Sequence, residues 1–214
     1  MRTDVWQQLH TDLTPGVQPD RETYAVAMGD AQLLLPIRTL PDGARGTASL
    51  ILNQASFPVL DAIADRVAAA LEGHAPEVII AVPTLGLPLA EAVARRLGHA
   101  RLVPLGTSRK FWYDEALSVE LSSITTPSGG KRLYVDPRML PLLEGRRVAV
   151  VDDVLSSGKS IAAVLRLMEL IGVAPVAIGA AMLQGTGWQA HVGAVPVEGA
   201  FATPILTKTP EGWT

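Results

Sequence analysis

The chain has 214 residues and a formal net charge of −3 at pH 7, which allows one domain with a sizeable core and argues against a broad basic surface for nucleic acid. It contains no cysteine, which excludes disulfides, thiol catalysis and zinc sites built on cysteine. No apolar run approaches the ~20 residues of a membrane helix. Residues 1–13 do not resemble a signal peptide, so we expect a cytoplasmic protein without a membrane partner.

The first part of the chain predicts short strands. Residues 20–55 carry apolar runs broken by Asp, Gly and Pro, a pattern typical of strands and turns, at 24–28, 33–37 and 49–52. The tail from Val192 onward has a similar character. Together, these two regions are expected to form a small lobe over the rest of the molecule.

The middle of the chain alternates between helices and strands. In order, the pattern predicts a helix from Ser56 to Gly73, a strand at 78–82, a helix ending at Gly98, strands at 101–105 and 148–151, a helix ending at Gly172 and a strand at 176–183. Such alternation indicates right-handed crossovers and an α/β fold with a doubly wound, mainly parallel sheet. Ligands of such sheets bind beyond the carboxyl ends of the strands.

Residues 148–160, Val-Ala-Val-Val-Asp-Asp-Val-Leu-Ser-Ser-Gly-Lys-Ser, form the most informative segment. Asp152 and Asp153 stand where a buried strand is expected to emerge, and a Ser/Gly loop then leads into a helix. The amides at a helix N-terminus can bind an anion such as phosphate. Carboxylates are better suited to accept hydrogen bonds from hydroxyls, as on a ribose.

Two other interpretations of this segment are weaker. A Walker A loop requires Gly five positions before its Gly-Lys pair, and position 153 is Asp. An ordinary turn with Ser157 or Ser160 as the helix N-cap explains one serine, but it does not explain two carboxylates at the end of a buried strand.

The segment resembles the ribose-5-phosphate signature of the type I phosphoribosyltransferases. That signature is an apolar strand, two acids, two apolar residues, two small hydroxylic residues, Gly, any residue, then Ser or Thr, and every element is matched. The resemblance implies that Asp152 and Asp153 bind the ribose hydroxyls. It also implies that the 5-phosphate is held by Ser156, Ser157, Gly158, Lys159 and Ser160.

The same resemblance implies one phosphoribosyltransferase domain over residues 1–214. Its core would span about 56–190. A hood enclosing the base would come from about 20–55 and the C-terminal tail, and a flexible lid from about 106–146.

A second loop, at residues 82–90, also follows a buried strand and opens a helix, so its amides can face an anion. Gly86 permits close backbone approach or an unusual φ, although a plain connecting turn would contain the same residues. The loop resembles the family's pyrophosphate loop but lacks the charged side chain that many members place there. Backbone and Thr84 would therefore supply most contacts, and the residues implied are Thr84, Leu85, Gly86 and Leu87.

The long connection between Leu105 and Arg146 is either functional or disordered, and its aromatic run at 111–113 argues against disorder. It is either a surface loop anchored by its aromatic residues or a lid whose Arg109 and Lys110 reach pyrophosphate. The Arg-Lys pair and the later Val119-Glu120-Leu121 resemble the flexible loop of adenine-type phosphoribosyltransferases.

In those enzymes a lid glutamate is thought to handle the proton of the base. Ser122 stands at its aligned position in this chain, and Glu120 lies two residues earlier, on the same face if the segment is extended. The candidate catalytic residues are therefore Lys110 and Glu120.

The resemblance implies a Mg²⁺-dependent pentosyltransferase of nucleotide salvage. It would transfer ribose 5-phosphate from phosphoribosyl pyrophosphate to a nucleobase, foremost an adenine- or xanthine-like purine, and release pyrophosphate. Mg²⁺ would be carried by the substrate and water, without a direct protein ligand. A homodimer is implied as well. Two alternatives stay open: a regulator that binds phosphoribosyl pyrophosphate without transferase activity, and an orotate-type phosphoribosyltransferase.

Overall fold

The computed structural model describes residues 4–121 and 131–214. Within them the elements follow in chain order: β1 (Leu9–His10), β2 (Gly16–Val17), β3 (Thr23–Met28), β4 (Ala31–Thr39), β5 (Arg45–Ala48), α1 (Phe57–Glu72), β6 (Val78–Ala81), α2 (Gly86–Arg96), β7 (Val103–Pro104), β8 (Ser118–Glu120), β9 (Arg132–Tyr134), β10 (Val148–Leu155), α3 (Lys159–Leu170), β11 (Ala177–Gln184), α4 (Gln189–Val192), β12 (Val197–Thr203), β13 (Ile205–Thr209) and β14 (Gly212–Trp213).

A five-stranded sheet carries the core, in the order β12-β11-β10-β6-β7, and every neighbouring pair in it is parallel. Alternate residues of β10 face opposite layers. Ala149 and Val151 pack in the cluster that includes α1 and α2, whereas Val148 and Val150 pack in the cluster that includes α3. Burial on both faces explains why four apolar residues follow one another in this strand. The predicted doubly wound, mainly parallel sheet is confirmed. None of the helices in the described ranges is long and apolar enough to cross a membrane.

A second sheet is antiparallel, with the order β14-β13-β5-β4-β3-β2 and with β1 paired to β4. The predicted strands at 24–28 and 33–37 lie within β3 and β4. The predicted strand at 49–52 is wrong, because the strand is β5 and residues 52–54 form a 3₁₀ turn. The sequence of β5, Arg-Gly-Thr-Ala, has little apolar pattern, since the Trp213 ring covers Gly46 in place of a larger side chain.

The tail from Val192 onward divides between the two sheets. β12 pairs in parallel with β11 and so belongs to the core sheet, beyond the predicted core limit near residue 190. Only β13 and β14 join the antiparallel sheet, through the pairing of β13 with β5. The interpretation of the whole tail as part of a hood is therefore wrong for β12. The pairing partners, and not the local sequence, assign these strands to different sheets.

Candidate active site

The sequence predicted the two adjacent carboxylates at the point where the central strand ends. They lie inside that strand instead. β10 continues to Leu155 because its last residues still pair with β11, where Asp152 lies opposite Ala180. β6 has already ended opposite Val151. The space beside Asp152 that β6 leaves is filled by Gly86, the first residue of α2. The acidic pair therefore lies at the carboxyl edge of the sheet, between β11 and the turn before α2.

The environment of this pair favours retention of a proton. Asp152 is 5% exposed, and its Oδ1 accepts a hydrogen bond from the amide of Asp153 at 2.8 Å. Burial, followed by repulsion from Asp153, raises the pKa of Asp152 well above its usual value. Burial also raises the pKa of Asp153. The pair thus binds a proton at pH values where exposed aspartates are ionised.

This predicts a pH-dependent gain of stability in Asp152→Asn. The folded state binds the proton more tightly than the unfolded chain, so wild-type stability falls as pH rises from the ordinary value of 3.8 through the raised pKa. Asparagine removes the titrating group and keeps an oxygen for the Asp153 amide. We expect the variant to be more stable than wild type near pH 7 by about 1 kcal/mol. Urea unfolding measures the difference in stability between the variant and the wild type. A difference that failed to shrink near pH 4 would contradict the raised pKa of Asp152.

A loop at residues 156–158 joins this strand to α3. Gly158 is the N-cap residue, with φ +82°, and no side chain caps the helix, so the interpretation of Ser157 or Ser160 as an ordinary N-cap is wrong. The first helical hydrogen bond runs from the amide of Ala162 to the carbonyl of Gly158, which leaves the amides of residues 159–161 without helical partners. Ser157, Lys159 and Ser160 are exposed, and the hydroxyls of both serines make no hydrogen bond to the described residues. This end of α3 can therefore bind an anion.

Gly158 is enclosed by α4 and the turn before it. A Cβ at this position would lie 2.3 Å from Cδ2 of His191 and 2.8 Å from Cα of Trp188. Both this contact and the positive φ require glycine. The sequence alone gave His191 no role. In the structure its ring lies against Gly158 in the loop at residues 156–158.

The turn before α2 brings the second predicted loop to the carboxylates. A Cβ on Gly86 would lie 2.9 Å from Cα of Asp152 and 3.2 Å from the amide nitrogen of Asp153. Close backbone approach, and not an unusual φ, therefore explains this glycine. The Pro83–Thr84 peptide bond is cis. Thr84 is exposed beside this contact, whereas Leu85 and Leu87 are half-buried.

The predicted lid residues are exposed, and two of them lie close to other charged side chains. Nε of Arg109 lies 3.3 Å from Oε2 of Glu115, and Lys110 is exposed. The Glu120 side chain is 78% exposed and lies 3.8 Å from Arg132. No hydrogen bond or ion pair within residues 4–121 and 131–214 joins Arg109, Lys110 or Glu120 to the strand carboxylates. Ser122 lies outside the described residues.

The aromatic run of this connection is anchored at its base. The indole nitrogen of Trp112 donates to Asp136 at 3.1 Å, and the guanidinium of Arg138 binds Asp136 and lies 4.8 Å from the centre of the Trp112 ring. The described strands β8 and β9 pair with each other, and Leu133 of β9 is buried in the cluster that includes α3. Anchoring by Trp112, predicted for a surface loop, is thus present at the base of the proposed lid.

This anchor predicts an acid-sensitive contribution to stability. Hydrogen bonds from Arg138 hold the pKa of Asp136 well below its usual value. The resulting stabilisation is present above the unfolded pKa of 3.8 and is lost as pH falls through the folded value. Because Asp136 is buried, we expect Asp136→Asn to destabilise the protein by about 1–3 kcal/mol near pH 7. Urea unfolding of both proteins from about pH 6 to pH 2 should show their difference in stability narrowing. A constant difference would show that the stabilisation does not come from the ionised form of Asp136.

Sequence reasoning also missed Gln184, the last residue of β11. It is 6% exposed; its Nε2 donates to the carbonyl of Ala48 at 2.9 Å, and its Oε1 accepts from the hydroxyl of Ser156 at 3.0 Å. The only indication in the sequence is a polar residue that follows seven residues of small or apolar type.

The described site therefore unites the carboxylates, the 156–160 loop and the turn at 84–87. The part of the chain that contains these elements is similar in sequence to known proteins. The model of the phosphoribosyl transferase domain matches residues 51–195. A hypoxanthine/guanine phosphoribosyltransferase of Methanosalsum zhilinae is 36% identical over 109 residues, 51% of this chain and 53% of that protein. An adenine phosphoribosyltransferase of a Roseiflexus species is 29% identical over 143 residues, 64% of this chain and 77% of that protein.

Solved structures show the same fold. The adenine phosphoribosyltransferase of Thermoanaerobacter pseudethanolicus is 25% identical, with a TM-score of 0.58 over 68% of this chain and 81% of that chain. The enzyme of Giardia lamblia, complexed with 9-deazaadenine, has a TM-score of 0.61 at 23% identity, over 78% of this chain and 93% of that chain. The chain spans about half the length of the first curated relatives that it matches. Because the family model covers more than half of it, this chain belongs to the phosphoribosyl transferase domain family.

Proposed function

We propose that this protein transfers ribose 5-phosphate from phosphoribosyl pyrophosphate to a purine base and releases pyrophosphate. The observation that carries this proposal is the buried Asp152–Asp153 pair, flanked on one side by the start of α3 and on the other by the start of α2. One substrate with a diol between two phosphate groups matches a carboxylate pair between two anion-binding turns. The names of the relatives, hypoxanthine/guanine and adenine phosphoribosyltransferases, support a purine as the acceptor.

Each part of the substrate has a proposed partner. Asp152 and Asp153 accept hydrogen bonds from the ribose hydroxyls, and such binding favours their ionised forms. The free amides at the start of α3, with the hydroxyls of Ser157 and Ser160 and the charge of Lys159, bind the 5-phosphate. Thr84 and the turn at 84–87 bind the pyrophosphate, because this turn contacts the carboxylates from the opposite side.

The reaction breaks the bond between C1 of the ribose and a pyrophosphate oxygen, and a bond from a nitrogen of the base to C1 replaces it. The protein aligns the two partners and stabilises the charge on the departing pyrophosphate. The two carboxylates are negatively charged when they bind the ribose, so they fit a substrate whose Mg²⁺ is held by the substrate's own oxygens and by water. When bound, Mg²⁺ would neutralise part of the pyrophosphate charge.

The lid completes the proposal. Arg109 and Lys110 would reach the pyrophosphate on closure and help to keep water from the activated sugar. Glu120 is the proposed acceptor of the proton that the base loses, and it would have to leave Arg132 to reach the site. A cytoplasmic homodimer remains part of the proposal.

The direct test supplies the purified protein with Mg²⁺, phosphoribosyl pyrophosphate and one base at a time. Adenine, hypoxanthine, guanine, xanthine and orotate form the panel, and pyrophosphate release is measured for each. We expect release that depends on one purine. Release with orotate alone would overturn the choice of base. Binding of phosphoribosyl pyrophosphate without release from any base would favour the regulatory alternative.

A further inference from the structure

One buried side chain connects the antiparallel sheet with residues 156–160, which we call the phosphate loop because they are the proposed site of the 5-phosphate. Gln184 ends β11, and its amide bonds on one side to Ser156, the first residue after β10, and on the other to Ala48, the last residue of β5. The ends of three strands from two sheets therefore meet at a single amide group.

The direction of these bonds follows from the carbonyl of Ala48, which can only accept. It must face the amide nitrogen of Gln184, so the amide oxygen faces Ser156. That oxygen also can only accept, so Ser156 donates its single hydroxyl hydrogen to Gln184.

Because the Ser156 hydroxyl already donates to Gln184, it is not free to donate to a phosphate. Phosphate oxygens accept hydrogen bonds as well, so Ser156 could donate to a phosphate only by leaving a buried amide oxygen unpaired, which is costly. Ser157 and Ser160 are exposed and have no such bond to the described residues. Their hydroxyls are available to a ligand, whereas that of Ser156 is already used.

We propose that Ser156 and Gln184 are positioning residues that hold β5 on the phosphate loop, and that Ser156 does not itself bind the 5-phosphate. Ordering of the loop by a sugar phosphate is then transmitted to β5 and to residues 49–54, which lead into α1. This inference rests on the proposed transferase and on the hood over the base that the resemblance implies from residues 20–55. If the antiparallel sheet is that hood, occupation of the phosphate site prepares the base site.

Hydrogen exchange with and without ribose 5-phosphate tests the link. In the wild type, the sugar phosphate should slow exchange in peptides covering 156–162 and also in those covering 46–52. In Ser156→Ala and Gln184→Leu, we expect the loop to remain protected and the protection of 46–52 to disappear. Thr203→Val is the matched control, because Thr203 is buried opposite Gln184 and its hydroxyl makes a hydrogen bond only to the sulfur of Met182 among the described residues. It should behave as the wild type does.

Steady-state kinetics separates positioning from direct binding. With the base that the wild type uses, Ser156→Ala and Gln184→Leu should raise KM for the base by about fivefold and change KM for phosphoribosyl pyrophosphate by less than about twofold. Ser157→Ala should mainly raise KM for phosphoribosyl pyrophosphate.

Two results would overturn the proposal in different ways. If Ser156→Ala raised KM for phosphoribosyl pyrophosphate as much as Ser157→Ala and left the protection of 46–52 intact, Ser156 would be a direct phosphate ligand. If the wild type released pyrophosphate with none of the bases, the proposed function itself would fail. If Gln184→Leu does not fold, Ser156→Ala compared with Ser157→Ala still separates positioning from direct phosphate binding.

Discussion

Replacing Asp152 and Asp153 together with asparagine should lower kcat/KM for phosphoribosyl pyrophosphate by at least about 100-fold and leave the fold intact. Each hydrogen bond from a ribose hydroxyl to a carboxylate contributes about 1.5–3 kcal/mol, so the loss of two charged acceptors costs at least about 3 kcal/mol. Asparagine keeps the size of each side chain and an oxygen for the amide of Asp153. Isothermal titration measures the loss of substrate binding, and pyrophosphate release measures the fall in kcat/KM.

A second double variant serves as the matched control. Asp61→Asn with Asp65→Asn also removes two negative charges, from exposed residues of α1 that pair with Arg96. It should leave binding of phosphoribosyl pyrophosphate within about twofold of the wild type, because exposed charges are screened. If the Asp152/Asp153 variant also bound the substrate normally, with a cooperative thermal transition, the assignment of the ribose site would be wrong.

Gly86→Ala should lower both stability and activity, although it adds one methyl group. The new Cβ would lie 2.9 Å from Cα of Asp152, a backbone atom of the central strand that cannot rotate away. α2 therefore has to shift, and we expect a loss of about 1–3 kcal/mol in the free energy of unfolding. The shift also moves the turn at 84–87 away from the carboxylates, so kcat/KM should fall by at least about tenfold.

Gly73→Ala is the control for this substitution. Gly73 caps α1 with φ −62°, and a Cβ there would meet no atom within 4 Å. Its stability should change by no more than about 0.5 kcal/mol. Urea unfolding and pyrophosphate release compare the two variants. Equal behaviour of Gly86→Ala and Gly73→Ala would show that the close approach to Asp152 has no functional role.

Prediction from the sequence succeeded where one short stretch contains the whole pattern. Ser56, a regular apolar stripe and Gly73 delimit α1 in the structure as they do in the sequence. The run from Val148 to Ser160 likewise predicts a buried strand, a turn and a helix, and all three are present. That the turn binds an anion stays a prediction. Prediction failed for β5, where Gly46 lies against the Trp213 ring from the other end of the chain and interrupts the apolar pattern.

The sequence by itself determined the alternation of helices and strands in the core, the two turns that lead into α2 and α3, and the pair of carboxylates beside them. These features depend on residues that are adjacent in the chain. The tertiary structure decided which strands of the tail join which sheet, the burial that raises the pKa of Asp152, and the partner of Ser156. The bond from Gln184 to Ala48 spans 136 positions, and no local pattern of residues specifies a contact at that separation.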